Sequence, residues 1–159
     1  MLESDVYKYL ESNHIEYELI RHKAAYTIEE IEKMNIKGYE YVVKNLFVRD
    51  DKKRHYYLIV VKKDAVVNMK ELQSKINSRR LSFASEEDLK KYLSLSHGEV
   101  TPLGIFNDVS QSVEVIFDQN ISDIIGIHPL TNTKTIYIKT SELIQMIKEH
   151  GNKVSVVSL

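Results

Sequence analysis

The stretch VVKNLFVRDDKKRHYYLIVV, residues 42–61, decides how this chain folds. Its first half alternates at the period of a strand, which puts Val43, Asn45, Phe47 and Arg49 on one face and Val42, Lys44, Leu46 and Val48 on the other. DDKKR then reads as a polar turn, and HYYLIVV at 55–61 as the second arm of a hairpin. The apolar run YYLIVV suits a strand covered on both faces and is far too short to cross a bilayer.

Upstream, SDVYKYLESN at 4–13 has helical spacing with Ser4 or Asp5 as its cap, and EYELI at 16–20 alternates as a strand. TIEEIEKMN at 27–35 opens with Thr27 and Glu30 at capping-box spacing, presents Ile28, Ile31 and Met34 on one face, and is closed by Gly38. Downstream, NMKELQSKINS at 68–78 and SEEDLKKYL at 85–93 read as helices, with LSFA at 81–84 as a short strand between them. Strands follow at VEVIFD (113–118), IIGI (124–127) and KTIYIK (134–139). SELIQMIKEHG at 141–151 is a helix ending on Gly151, and KVSVVSL is a last strand. Helices and strands interleave without strict alternation around a hairpin, which predicts a mixed-sheet α/β or α+β domain. With no repeat or linker, residues 1–159 read as a single domain.

The formal net charge is −1, which argues against a protein that coats nucleic acid, because such binding rests on many phosphate contacts. Lys52-Lys53-Arg54, Lys62-Lys63, Arg79-Arg80 and Lys90-Lys91 could form a local basic face or simply be solvated surface. There is no cysteine, hence no disulfide, thiolate metal site or cysteine nucleophile. The N-terminal MLESD has no basic region followed by an apolar run, so a cytoplasmic protein without a membrane segment is expected.

Three constellations could carry chemistry. Lys44 sits mid-strand on an otherwise apolar face, where an ammonium must snorkel, pair or work, and Asn45 lies beside it. Gly98-Glu99-Val100-Thr101-Pro102 brackets three residues between a free backbone and a fixed one. Such a loop presents N–H groups to an oxyanion, or is a tight turn with no ligand. Three of the five glycines and both prolines fall between 98 and 129. The segment His128-Pro129-Leu130-Thr131-Asn132-Thr133 offers an imidazole, an amide and two hydroxyls. No HExxH, GxSxG, P-loop or GxGxxG is present, so the zincin, serine-hydrolase, P-loop and dinucleotide-binding signatures are excluded.

Taken in order, VVKNLFVRD, YYLIVV, FASEEDLKKYL, GEVTPLGIFND and GIHPLTNTKTIYI resemble the bacterial prolyl-tRNA editing-domain family (YbaK/ProX-like), from about His22 to the C-terminus. The wording VTP followed by ND is most similar to free-standing alanyl-tRNA(Pro) deacylases. The resemblance implies an α/β fold with a mixed parallel and antiparallel sheet flanked by helices. It implies hydrolysis of the ester of mischarged tRNA(Pro), Ala-tRNA(Pro) first, with Cys-tRNA(Pro) hydrolysis or a non-catalytic aminoacyl-tRNA or amino-acid sensor as alternatives. No metal or organic cofactor is implied. Lys44 would be the family's lysine, with Asn45 a positioning group. Gly98 to Pro102 would be the substrate loop, with the N–H groups of 99–101 on the aminoacyl carbonyl. His128 and Asn132 would line or brace the pocket. Ile31, Met34 and the Val100–Leu103 stretch are the expected pocket walls. The partner would be the tRNA(Pro) acceptor end, with transient contact to prolyl-tRNA synthetase. Lys52, Lys53, Arg54, Arg79 and Arg80 are candidates for its phosphates.

Overall fold

The computed structural model describes residues 1–159. In chain order the elements are α1 (Glu3–Ser12), β1 (Tyr17–Arg21), α2 (Ile28–Met34), β2 (Val43–Asp50), β3 (Tyr56–Lys62), α3 (Met69–Ile76) and β4 (Leu81–Phe83). They continue with α4 (Glu86–Asp88), β5 (Val113–Asp118), β6 (Ile124–Ile127), β7 (Lys134–Lys139), α5 (Thr140–His150) and β8 (Val154–Val157).

The expected hairpin forms: β2 and β3 pair antiparallel from Val43 opposite Lys62 to Arg49 opposite Tyr56. β4 adds to the outer edge of β2, also antiparallel. On the far side of β3, β5 runs parallel to it and β8 parallel to β5. The sheet order β4-β2-β3-β5-β8 is therefore mixed, as the interleaved elements suggested. The remaining strands form a separate antiparallel sheet, β1-β7-β6, and a lone parallel bridge between Val42 and Gly126 joins the two sheets.

Each face of the hairpin is covered, which explains why β3 is continuously apolar. Val43, Phe47, Leu58 and Val60 pack with Leu10 of α1, Leu143 and Ile147 of α5, and Ile125 and Ile136 of the smaller sheet. The opposite face places Val48, Ile59 and Val61 against Leu72 of α3. Full burial of each such aliphatic side chain contributes about 1.5–3 kcal/mol. A smaller cluster of Ala25, Ile31, Val42 and Tyr137 seats α2 where the two sheets meet.

Capping residues set most helix boundaries. Thr27 Oγ1 accepts from the Glu30 N–H at 3.1 Å, and Asn68 Oδ1 accepts from the N–H groups of Lys70 and Glu71. Three boundaries differ from the sequence reading. Helix α1 begins at Glu3 with Leu2 as its cap, because the Asp5 carboxylate reaches back to the Leu2 N–H at 2.7 Å. Helix α2 ends on Asn35, whose φ of 51° stops it, and Gly38 instead opens a short 3-10 turn over Tyr39–Tyr41. Beyond Asp88 the chain widens into a π-helical turn, Leu89–Leu93, with both terminal leucines buried.

The GEVTPLGIFND segment is not a simple turn. Thr101 caps a 3-10 helix over Pro102–Asn107, with Pro102 at its first position, where the missing N–H costs nothing. Gly104 is demanded by packing: a Cβ there would lie 2.6 Å from Leu95 Cδ1.

Candidate active site

Where β2 begins, the two sheets part around a cavity of about 510 Å³. Its walls come from the start of β2, the first turn of α2, the 97–100 loop and the Gly126–His128 turn. Lys44 and Asn45 both reach it. Strand alternation sends them to opposite sides. The Lys44 ammonium donates to the Ala65 carbonyl beyond the end of β3. The Asn45 amide donates to the Val100 carbonyl at 3.3 Å, while its Oδ1 is buried with no partner.

The two punctuated loops meet here. Thr101, fully buried, donates from Oγ1 to the His128 carbonyl at 2.7 Å. Gly98 has φ of 83° and sits so close to Tyr26 that a Cβ would lie 3.2 Å from the Tyr26 carbonyl oxygen. The loop is thus pinned from three sides, by Asn45, His128 and Tyr26. Of its amides, Glu99 N–H is engaged by Ser96 O at 3.1 Å and is not available to a ligand. The N–H groups of Gly98, Val100 and Thr101 donate to no other group of the chain. Backbone donors held rigid and left free are what a developing oxyanion needs.

Gly98, Val100 and His128 line the cavity; Glu99, Thr101, Pro102 and Asn132 do not, and Thr101 instead anchors the loop from behind. Asn132 is buried off the cavity wall, and its carbonyl accepts from the Ala25 N–H at 3.1 Å, which positions the strand leading into α2. Of the expected walls, Ile31 lines the cavity, but Met34 and Leu103 do not.

His128 Nδ1 lies 3.2 Å from the Lys134 carbonyl. Since a carbonyl only accepts, Nδ1 carries the hydrogen and Nε2 is left as an acceptor. Burial holds this imidazole below its ordinary value of 6.5, and the neighbouring His22, ring centre 6.4 Å away, adds to the shift. A depressed imidazole stabilises the fold fully above pH 6.5, and that contribution is lost as the pH falls through the lower folded value, because the unfolded chain takes up the proton first. Acidification from about pH 7.5 to about 5.5 should therefore lower the urea midpoint of the wild type more than that of His128→Asn. Equal losses would show that His128 is not the titrating group.

Behind the cavity, Asp88 accepts from Tyr56 Oη at 3.1 Å, from the Ser85 N–H at 3.0 Å and from Arg49. Burial pushes this carboxyl up, but the Ser85 donors, Tyr56 and Arg49 outweigh it and leave it below its ordinary value. Burial next to Asp88 pushes the Tyr56 hydroxyl up to about 12. The cluster fixes the segment whose Phe83, Ala84 and Leu89 face the cavity.

The expected phosphate contacts lie elsewhere. Lys52, Lys53 and Arg54 are exposed in the β2–β3 turn, whereas the cavity is at the opposite end of that hairpin. Strand rise puts about 20 Å between them. Arg79 is held by Asp51 at 2.6 and 3.0 Å, beside the exposed Arg80. Beside Lys44, the other lysine at the cavity is Lys63, whose ammonium lies 3.2 Å from Asp64 and 5.1 Å from the centre of the Tyr39 ring. The Lys62-Lys63 pair was visible in the sequence, but nothing local marked it as part of a site. Tyr26, Phe83, His97 and Thr135 are further cavity residues that the sequence reading missed.

A cleft with free backbone donors, an acceptor imidazole and no strong nucleophile is suited to a substrate whose acyl group is already activated. Comparison with known proteins names the class: the chain belongs to the aminoacyl-tRNA editing domain family, whose pattern matches residues 22–146. It is an aminoacyl-tRNA deacylase, a hydrolase of carboxylic esters. More particularly, it is 45% identical over 147 residues to the prolyl-tRNA editing protein ProX of Acetoanaerobium sticklandii, covering 91% of this chain and 90% of that one. It is 31% identical over 154 residues to the prolyl-tRNA synthetase associated domain-containing protein 1 of Danio rerio, covering 93% and 82%. Among solved structures, a candidate trans-editing enzyme for prolyl-tRNA synthetase superposes with a TM-score of 0.71 at 16% identity, over 100% of this chain and 98% of that one. At that identity the likeness is one of fold.

Proposed function

We propose that this chain is a trans-editing deacylase that clears mischarged tRNA(Pro), with Ala-tRNA(Pro) as its substrate, and that residues 1–159 act as one editing domain in the cytoplasm. The observation that supports this reading is the GEVTP loop, pinned by Asn45 and His128 with unengaged amides at Gly98, Val100 and Thr101.

In this reading the ester carbonyl lies against the amides of Gly98 and Val100, the two on the cavity wall. Water adds to the carbonyl carbon, the oxyanion is held by the N–H groups, and the ribose oxygen leaves with a proton as the acyl–oxygen bond breaks. Lys44 has given one of its three N–H donors to Ala65 and offers the others to the terminal ribose or phosphate oxygens. The unpartnered Asn45 Oδ1 accepts from the substrate or its water. The neighbouring ribose hydroxyl helps to orient that water. Lys52, Lys53 and Arg54, about 20 Å from the cavity, and the exposed Arg80 would meet the acceptor stem and not the ester. Arg79, already paired with Asp51, would contribute least. Prolyl-tRNA synthetase, which releases the mischarged product, is the transient partner.

Editing by a second site is needed because a synthetase pocket gains only about 1–3 kcal/mol against a smaller amino acid that fits inside it. Deacylation of Ala-, Cys- and Pro-tRNA(Pro) by the purified protein tests the proposal. Rapid loss of alanine, with proline retained, is the expected result. Preferential loss of cysteine would move the substrate assignment. Binding of all three without hydrolysis would overturn the catalytic reading in favour of a sensor.

A further inference from the structure

Tyr26 and Phe83 stand apart from the other aromatic residues. Each lines the cavity, yet they are 56% and 63% exposed. Phe47, Tyr56 and Tyr92 pack ring against ring, as do Tyr7 with Tyr17 and Tyr9 with Phe106, but neither Tyr26 nor Phe83 has an aromatic partner. Their backbones are nevertheless fixed. The Tyr26 N–H donates to Glu30 Oε2 at 2.9 Å within the cap of α2, and its Cβ packs on Gly98. Phe83 sits in register opposite Val48 on the edge strand β4, and the next residue is tied to Phe47 O at 2.9 Å. A residue just before a helix cap often staples onto the fifth residue beyond it, here the buried Ile31, but a staple would bury the Tyr26 ring.

The chemistry of the substrate says what such rings meet. The ester to be cleaved is on the terminal ribose, so the nucleobase on that ribose must lie within one nucleotide of the cavity. Unpaired bases are held chiefly by stacking on aromatic faces. Resting on the deacylase reading above, we propose that Tyr26 and Phe83 form a stacking platform for the single-stranded 3′ end of the substrate RNA. Tyr26, against the Gly98 loop, takes the terminal base, and Phe83 takes the base before it.

The test uses a fluorescein-labelled RNA hairpin with the tRNA(Pro) acceptor stem and a 3′-CCA end, and the same hairpin without the CCA, both followed by anisotropy. Tyr26→Ala and Phe83→Ala should each weaken binding of the CCA hairpin roughly 5- to 150-fold. Tyr26→Phe and Phe83→Trp should bind like the wild type, since they keep a π-face. The salt dependence of binding should be unchanged, because no charge is removed. The truncated hairpin should not distinguish wild type from variants. Unaltered CCA binding by both alanine variants, or an equal loss on the truncated hairpin, would overturn the platform. Failure of Tyr26→Phe to restore binding would overturn it for that position. Hydrolysis of the alanyl ester of the same hairpin by the wild type is scored separately, so the platform can fail while the deacylase stands; a wild type that neither binds nor hydrolyses it sinks both.

Discussion

Lys44→Ala is expected to lower kcat/KM for Ala-tRNA(Pro) deacylation by at least about a hundredfold, the usual effect of deleting one donor from a preorganised site. The ammonium reaches the cavity and is already fixed at one end by the Ala65 carbonyl, so its remaining donors are aimed before substrate arrives. Two further variants separate its roles. Lys44→Met keeps most of the buried stem and removes the charge, and it should be as inactive as alanine. Lys44→Arg keeps the charge, but a planar fork cannot stand in for a compact ammonium at the Ala65 carbonyl, so most of the activity should stay lost. Removing a charge-assisted hydrogen bond from a part-buried site also costs stability, by no more than about 1.5–3 kcal/mol, so the kinetics belong well below the melting temperature. Methionine at position 44 with activity within about twofold of wild type would remove Lys44 from the reaction.

The hairpin was legible because its two signals, period-two alternation in 42–50 and an apolar run in 56–61, are those of strands, and the run follows directly from both faces being covered. The opposite orientations of Lys44 and Asn45 were legible for the same reason. What they face was not. The Asn45 partner lies at Val100, and the Thr101 hydroxyl ends on His128, contacts between segments that sequence spacing does not relate. The loop's punctuation marked it out, yet Glu99 N–H is diverted to Ser96 by the turn that Gly98 makes, which only the backbone path shows. The basic residues were assigned by composition. Strand rise along β2 alone separates Lys52–Arg54 from Lys44, and that distance could have been read from the hairpin. Lys63, Tyr26 and Phe83 carry no local sign of a site; only the approach of α2, β4 and the residues just beyond β3 to one cavity makes them part of one.

Asp108→Ala should give the largest loss of stability, although it lies outside the cavity. This carboxylate is 2% exposed and joins three segments. One oxygen accepts from the Val113 N–H at 2.8 Å, where β5 begins, and from Asn152 Nδ2 at 2.9 Å, between α5 and β8. The other accepts from Ser110 Oγ at 2.8 Å. Asn152 is itself committed to the Val113 carbonyl at 2.8 Å and to His150 at 2.7 Å, so it cannot turn to find a new acceptor. Alanine would strand two buried donors, each costing about 1–3 kcal/mol. A total near 3 kcal/mol corresponds to a fall of about 6–12 °C in Tm for a chain of this size. Asn at 108 retains one acceptor and should fall between. Because Asp108 closes the far end of the 3-10 helix that Thr101 opens, the GEVTP amides should keep their places while the protein is folded. At about 15 °C, kcat/KM should stay within roughly fivefold of wild type. A Tm within about 2 °C of wild type would show that the network contributes little to stability. Activity lost in a fully folded Asp108→Ala protein would show that this buried carboxylate governs the loop's geometry as well as its anchorage.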